Sequence, residues 1–413
     1  MRSTLPVGVL FVMVATLGCG DEGGAGDGAD TGLDAPAADA RVDAVPDAGA
    51  DAPAVPDAAV DAADAAVAFD ATAVDPLDAA VDAVVDAGRD QPNRVFVTRT
   101  AVYGDFGGLA AADALCAAEA TAVGLDGTYV AWLSTSTVDA RDRLAGSAGW
   151  IRTDGAPVAA TVARLVGEEM FAAADRDVDG HQVIGPVWTG TGPDGRLAPG
   201  QACDDWGSQL PDTVLGDPAA AMPYLTAAQR ASCDVKARLL CFEIGHQAVV
   251  APVPDPTATR HAFVSRAQRS GVGVAPLDLL CAGEASAAGL PGTYRAAVAT
   301  STASVASRFV DDGRAWRRVD GTRVAGPGLL GVLAGYPAFV NQHADGTYAS
   351  VAIMTGAPSP TVVGTATCDD WQSYDLGAEV VDGLAASAWA ASFWGATAHA
   401  SCAAAQHLLC LEE

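Results

Sequence analysis

The chain has 413 residues and a formal net charge of −28, with Lys236 as its only lysine. Such a length is too great for one ordinary domain and suffices for two or three separate cores. A chain so acidic is poorly suited to neutralising phosphates, which excludes nucleic acid as a partner.

Residues 1–19, MRSTLPVGVLFVMVATLGC, place Arg2 before an apolar run from Leu5 to Leu17, followed by Gly18 and Cys19. The run is too short for an ordinary membrane span and reads as an export signal. It resembles a bacterial lipoprotein signal, in which the cysteine after the cleavage point is lipidated and becomes the mature N-terminus. That resemblance implies a lipid anchor at Cys19 and, from Gly20 and Asp21, an outer-membrane or cell-surface location. Plain secretion with cleavage nearby is the alternative.

Residues 20–92 are mostly Ala, Asp, Pro, Val and Gly, and Phe69 is their only aromatic. Eighteen acidic residues against Arg41 and Arg89 put more than half of the net charge here. Nothing in the stretch can bury enough apolar area to offset chain entropy, so it reads as a disordered, self-repelling tether. As a flexible coil it would span about 50 Å.

Two related blocks follow, at 93–245 and 261–413. VFVTRT near 95 answers AFVSRA near 262, and LCAAEATAVGLDGTY answers LCAGEASAAGLPGTY. Both blocks then carry TST, Trp-x-x-x-Asp-Gly, CDDW and a closing Cys-x7-Cys. Cys116 to Cys203 and Cys281 to Cys368 are both 87 residues apart. This is an internal duplication. Residues 246–260 between the blocks hold Pro252, Pro254 and Pro256, which predicts a short stiff linker between two distinct bodies.

Within the first block, Leu109, Ala112, Cys116, Ala120 and Val123 share one helical face that stops at Gly124. TYVAWLST, QVIGPVWTGT and ARLLCFEI read as strands bounded by Gly and Asp turns. The expectation is an α+β module with one early helix and short strands after it.

GGLAAADALCAAEATAVGLDGTYVAWLSTS, VWTGTGPDGRL, CDDW and ASCDVKARLLCFE together resemble the endostatin module of certain collagens and modules of bacterial surface lipoproteins. Both are similar to the C-type-lectin-like fold. The eight module cysteines alone permit three pairings per block. The resemblance implies the nested ones, Cys116 with Cys241 and Cys203 with Cys233, then Cys281 with Cys410 and Cys368 with Cys402.

Several side chains are candidates for chemistry. In CDDW an extended backbone would turn Asp204 and Asp205 to opposite faces, so a scaffold role is expected, with Asp204 and Asp369 as possible ligand contacts. Asp175, Asp177 and Asp179 in DRDVDG match the opening of a calcium loop, but Pro186 stands where the closing Glu belongs, which favours a hairpin turn. His399, Cys402, His407 and Cys410 offer zinc ligands. Arg230 and Arg238 replace both histidines in the first block, which favours disulfides. Trp132 and Trp188 have no tryptophan counterpart in the second block, nor Trp389 and Trp394 in the first, so they could line a binding surface or repack a core. No cofactor is expected, calcium apart.

The resulting expectation is a lipid-anchored surface binding or adhesion protein rather than an enzyme, recognising an extracellular glycan or protein. A purely structural envelope component is the alternative, and an enzyme on a C-type-lectin-like fold is a more distant one.

Overall fold

The computed structural model describes residues 91–413, apart from 201, 211, 270, 327–336, 389 and 396–398. The export signal, Cys19, the tether up to residue 90 and Trp389 lie outside the described residues.

RLLCFEI forms β8 (Arg238–Ile244), whose five central residues are all buried, as a strand with a core on each face requires. Leu240 and Phe242 join one apolar cluster with Val95, Val97 and Trp150. Leu239 and Cys241, pointing the other way, join a second cluster with Phe96, Trp188 and Trp206.

Three strands flank β8. It runs antiparallel to β1 (Asn93–Val97) and β2 (Thr128–Ala131), and parallel to β5 (Val187–Trp188). On one side β1 pairs in parallel with β3 (Ala148–Arg152), which forms a hairpin with β4 (Pro157–Thr161). On the other, β5 leads to β6 (Asp212–Gly216) and β7 (Gln229–Ser232). The order is β4-β3-β1-β8-β5-β6-β7, with β2 also on β8.

Helix α1 (Leu109–Ala122) buries Ala112, Cys116 and Ala120, the face legible in the sequence, while Val123 beyond its end is exposed. The Cys116–Cys241 disulfide fixes it to β8. Arg143 grips Asp113 of α1 through two bonds of 2.7 and 2.5 Å, and Asp113 also accepts the Ala131 N–H at 2.9 Å. Both bonds come from Arg143 Nη2, a charge-assisted contact shared between the two carboxylate oxygens.

The second block repeats this plan with β9 (Ala258–Val264), β10 (Tyr294–Ala296), β11 (Ala315–Arg317), β12 (Arg323–Ala325), β13 (Ala352–Met354), β14 (Glu379–Leu384), β15 (His399–Ser401) and β16 (His407–Glu412). Its order, β12-β11-β9-β16-β13-β14-β15 with β10 on β16, is that of the first sheet. Helix α2 (Val274–Ala287) takes the place of α1, with Arg308 Nη2 repeating the contact to both oxygens of Asp278 at 2.7 Å. The protein is therefore α+β, with two equivalent eight-stranded mixed sheets.

The modules are not the distinct bodies that the proline-rich stretch suggested. Ala221 N–H donates to Ala386 O and Ala388 N–H to Ala219 O, both at 2.8 Å. The sheet registers make Ala219 equivalent to Ala386 and Ala221 to Ala388, so the two bonds are reciprocal, as a two-fold relation between copies makes them. Phe339, Ala386 and Ala388 of the second module share a core cluster with Met170, Met222 and Leu225 of the first. The linker lies along both modules: Ala148 N–H donates to His246 O, Asp255 N–H donates to Gly321 O, and β9 already begins at Ala258.

One substitution between the copies makes this seam directional. Arg152 and Arg318 are equivalent and both are buried, at 4 and 0 % exposure. Arg152 turns its Nη1 to Asp175 within its own module, at 3.3 Å. Asn341 stands in the place of Asp175; Arg318 Nη1 donates to Asn341 Oδ1 at 2.8 Å and also to Phe171 O of the first module at 3.0 Å, and Asn341 Nδ2 donates to Met170 O at 3.0 Å. A carboxylate could not donate that last bond.

Candidate functional site at the duplicated acidic turn

CDDW is not extended. Cys203, Asp204, Asp205 and Trp206 have φ of 50, 53, 52 and 69°, and Cys368, Asp369, Asp370 and Trp371 have 53, 54, 49 and 69°. Each run is one turn of left-handed helix, closed by Trp206 N–H to Ala202 O and Trp371 N–H to Thr367 O, both at 2.7 Å. The reason is packing: Cys203 and Trp206 must both be buried, and positions i and i+3 share a face in a helical turn but not in a strand.

L-residues in this conformation are disfavoured by about 1–2 kcal/mol each, so the surroundings must impose it. The Cys203–Cys233 and Cys368–Cys402 disulfides hold one end. At the other, the Trp206 indole N–H donates to Ser134 O at 2.9 Å and that of Trp371 to Ala299 O at 2.7 Å. Phe106 stacks on Trp206 at 5.2 Å. Gly190 and Gly356 lie flat against the two indoles, where a Cβ would come within 2.8 and 2.7 Å of a ring carbon.

The second aspartate belongs to the scaffold. Asp205 accepts from Ser136 N at 2.7 Å and Oγ at 2.5 Å, and Asp370 from Ser301 N at 2.6 Å and Oγ at 2.8 Å. Those bonds from Ser301, first its backbone N–H and then its hydroxyl, hold the Asp370 carboxyl below the usual carboxylate range. The repeated TST segments were the signal for these serines, and their partner was not foreseen.

The first aspartate is different. Asp204 and Asp369 are exposed, and neither carboxylate has a hydrogen bond or ion pair with a described residue. Asp204 borders a shallow pocket of about 210 Å³ with Ser136, Leu197 and Gly200.

Other expected contacts fall elsewhere. Trp132 and Trp188 are 1 and 0 % exposed, so neither lines a binding surface. Trp132 donates to Thr226 Oγ1 at 3.1 Å and Trp188 to Val102 O at 2.9 Å. Trp394 is buried in the cluster that contains Ala297, the residue standing in the place of Trp132. All four nested disulfides are present, so Cys402 and Cys410 belong to different bridges and not to one metal site. His407 Nδ1 lies 2.7 Å from Ser265 O.

The aspartates of DRDVDG do not converge on one point. Asp175 is buried and held by Arg152, Arg176 and Gln182. Asp177 Oδ1 accepts the N–H groups of Asp179 and His181, both at 2.9 Å, as in a turn. Asp179 pairs with Arg99 at 2.8 Å. Asp177, Asp179 and His181, rather than the three aspartates, form the only cluster of potential metal ligands among the described residues, and a guanidinium already occupies one of its carboxylates.

A groove of about 400 Å³ beside α2 has satisfied charges. Arg266 pairs with Asp345 at 2.6 Å, and Glu284 accepts the N–H groups of Arg266 and Ala267 at 2.8 Å.

No family model matches the chain, and no curated protein matches it either. Four disulfides suit an oxidising compartment, and no helix among the described residues is long and apolar enough to cross a membrane.

Proposed function

We propose that this is an exported binding protein, anchored by lipid at Cys19 in the outer membrane or cell surface, whose two modules have a C-type-lectin-like, endostatin-like fold. Its ligand is an extracellular glycan or protein that meets the surfaces around Asp204 and Asp369. The observation behind this reading is that each module holds a disfavoured left-handed turn in which every other side chain is committed to the scaffold, leaving one exposed carboxylate unpaired. A carboxylate so placed can accept from sugar hydroxyls or from the basic side chains of a protein. The acidic tether would carry the pair of modules away from the membrane.

Two experiments test this. Metabolic labelling with a fatty acid should tag the wild-type chain and fail with Cys19→Ser. Glycan and surface-protein arrays probed with the mature chain should give hits that weaken at least about tenfold in the double variant Asp204→Ala/Asp369→Ala. Hits that survive the double variant would move the ligand to another surface, and silent arrays would leave a structural envelope role.

A further inference from the structure

At the seam lies a half-open cavity of about 370 Å³, within the size range of small-molecule sites, which favour domain interfaces. Its walls come from equivalent turns of the two modules. Trp150-to-Gly155 and Trp316-to-Gly321 align, so Ala156 corresponds to Thr322 and Pro157 to Arg323. Phe171 and Pro337 are equivalent in the same way, and all six line the cavity. The cavity therefore lies where the two copies face one another across their pseudo-two-fold relation.

The copies have diverged here in one direction. The first module contributes Ala156, Pro157 and Phe171 beside the paired Arg152 and Asp154, while the second sets Thr322 and Arg323 beside Pro337 and Ala338. Other charges at the site are already satisfied. Asp154 receives Arg152 at 3.0 and 2.8 Å and Arg176 at 3.4 Å. Arg323 is the most loosely held: its ion pair with Asp255 spans 3.6 Å, longer than the contacts to Asp154. Its side chain is 42 % exposed, so part of the guanidinium remains open to solvent and to a ligand at the cavity.

We propose that the seam cavity binds a small organic carboxylate with an apolar body. The carboxylate takes the forked N–H groups of Arg323, and the body lies against Pro157 and Phe171. The site exists only in the paired arrangement, because neither module supplies both walls, and it is independent of the acidic turns.

The test is calorimetric titration of the mature full-length chain with 2-naphthoate, 4-phenylbutyrate and the neutral 2-naphthamide. Both carboxylates should bind, with the amide at least about tenfold weaker. Arg323→Met should remove most of that preference, and Ala156→Leu, which fills the apolar side, should abolish binding of all three. Thermal melting of each variant checks that the fold is kept, and Asp204→Ala should bind as wild type. Absence of binding by both carboxylates overturns the proposal. So does equal affinity for acid and amide, or wild-type affinity in Arg323→Met.

Discussion

Asp204 and Asp205 are neighbours of the same type in one turn, with φ of 53 and 52°, yet the structure gives them opposite roles. Replacing either by Ala removes a carboxylate and puts Ala in the same left-handed conformation, so the backbone cost is common to both variants and cancels in their difference. What remains is the pair of hydrogen bonds from Ser136 to Asp205, at 2.7 and 2.5 Å. At about 1 kcal/mol each for a solvent-facing acceptor, Asp205→Ala should be less stable than Asp204→Ala by about 2 kcal/mol. For the two modules melting as one unit that is a difference of about 3 °C in melting temperature. Differential scanning calorimetry of the oxidised chain at neutral pH measures it, and Asp370→Ala against Asp369→Ala repeats the comparison in the second module. Equal melting temperatures within a pair, or a lower one for the Asp204 variant, would refute the assignment of scaffold and exposed carboxylates.

Gly190→Ala places a methyl 2.8 Å from the Trp206 ring at a φ of 57°, whereas Gly180→Ala meets nothing within 4 Å at a φ of 83°. Both carry the left-handed penalty, so the first should melt lower by at least about 2 kcal/mol equivalent, as an overpacked core does. Asn341→Asp replaces the donor to Met170 O by an acceptor and gives Arg318 a carboxylate in its own module. The seam should loosen, and the calorimetric trace should split into two transitions, against the single one expected of wild type. Asp217 gives a pH-dependent test, because burial raises its carboxyl pKa, with a smaller contribution from Asp175, against the opposing pull of the Ala219 N–H. A raised folded pKa means that stability is fully present below the unfolded value near 4 and is lost as pH rises through the folded one. Asp217→Asn, which keeps an acceptor for Ala219, should therefore melt higher than wild type at pH 7 and equally at pH 3.

The duplication, the early helix and the nested bridges could be read from sequence because each depends on spacing, and spacing survives folding. The face of α1 follows from Ala112, Cys116 and Ala120 at helical intervals, and β8 from an unbroken apolar run. Strands β3, β4, β6 and β7 carried no such signal. Of QVIGPVWTGT only Val187–Trp188 forms a strand, because Gly185, Pro186 and Gly190 bound it closely. The acidic turn was misread for a related reason. Four consecutive L-residues at positive φ run against local propensity, and only the long-range partners Cys233, Ser134 and Ser136 impose them. Trp132 and Trp188 stood out as differences between copies, but a difference does not say which way a side chain faces. The space of Trp132 is answered by Trp394 inside the second core.

Comparing the copies position by position separates what the fold needs from what the pairing of modules adds. Asp113 with Arg143 and Asp278 with Arg308, the two CDDW turns with their serines, and the Arg152–Asp154 and Arg318–Asp320 forks are the same in both modules. These groups act within one module, and each would be needed had the modules remained separate. Asp175 against Asn341 and Pro157 against Arg323 differ, and each lies at the seam. At Asn341 the change keeps the bond from the buried arginine, Arg318 Nη1 to Asn341 Oδ1 at 2.8 Å, and adds one across the seam to Met170 O, and at Arg323 it puts a cation where the equivalent position holds Pro157. A symmetric pair of identical modules could have neither feature, because whatever one copy donated the other would donate too. Covalent linkage of the copies frees the two sides to diverge, and at these two seam positions they have.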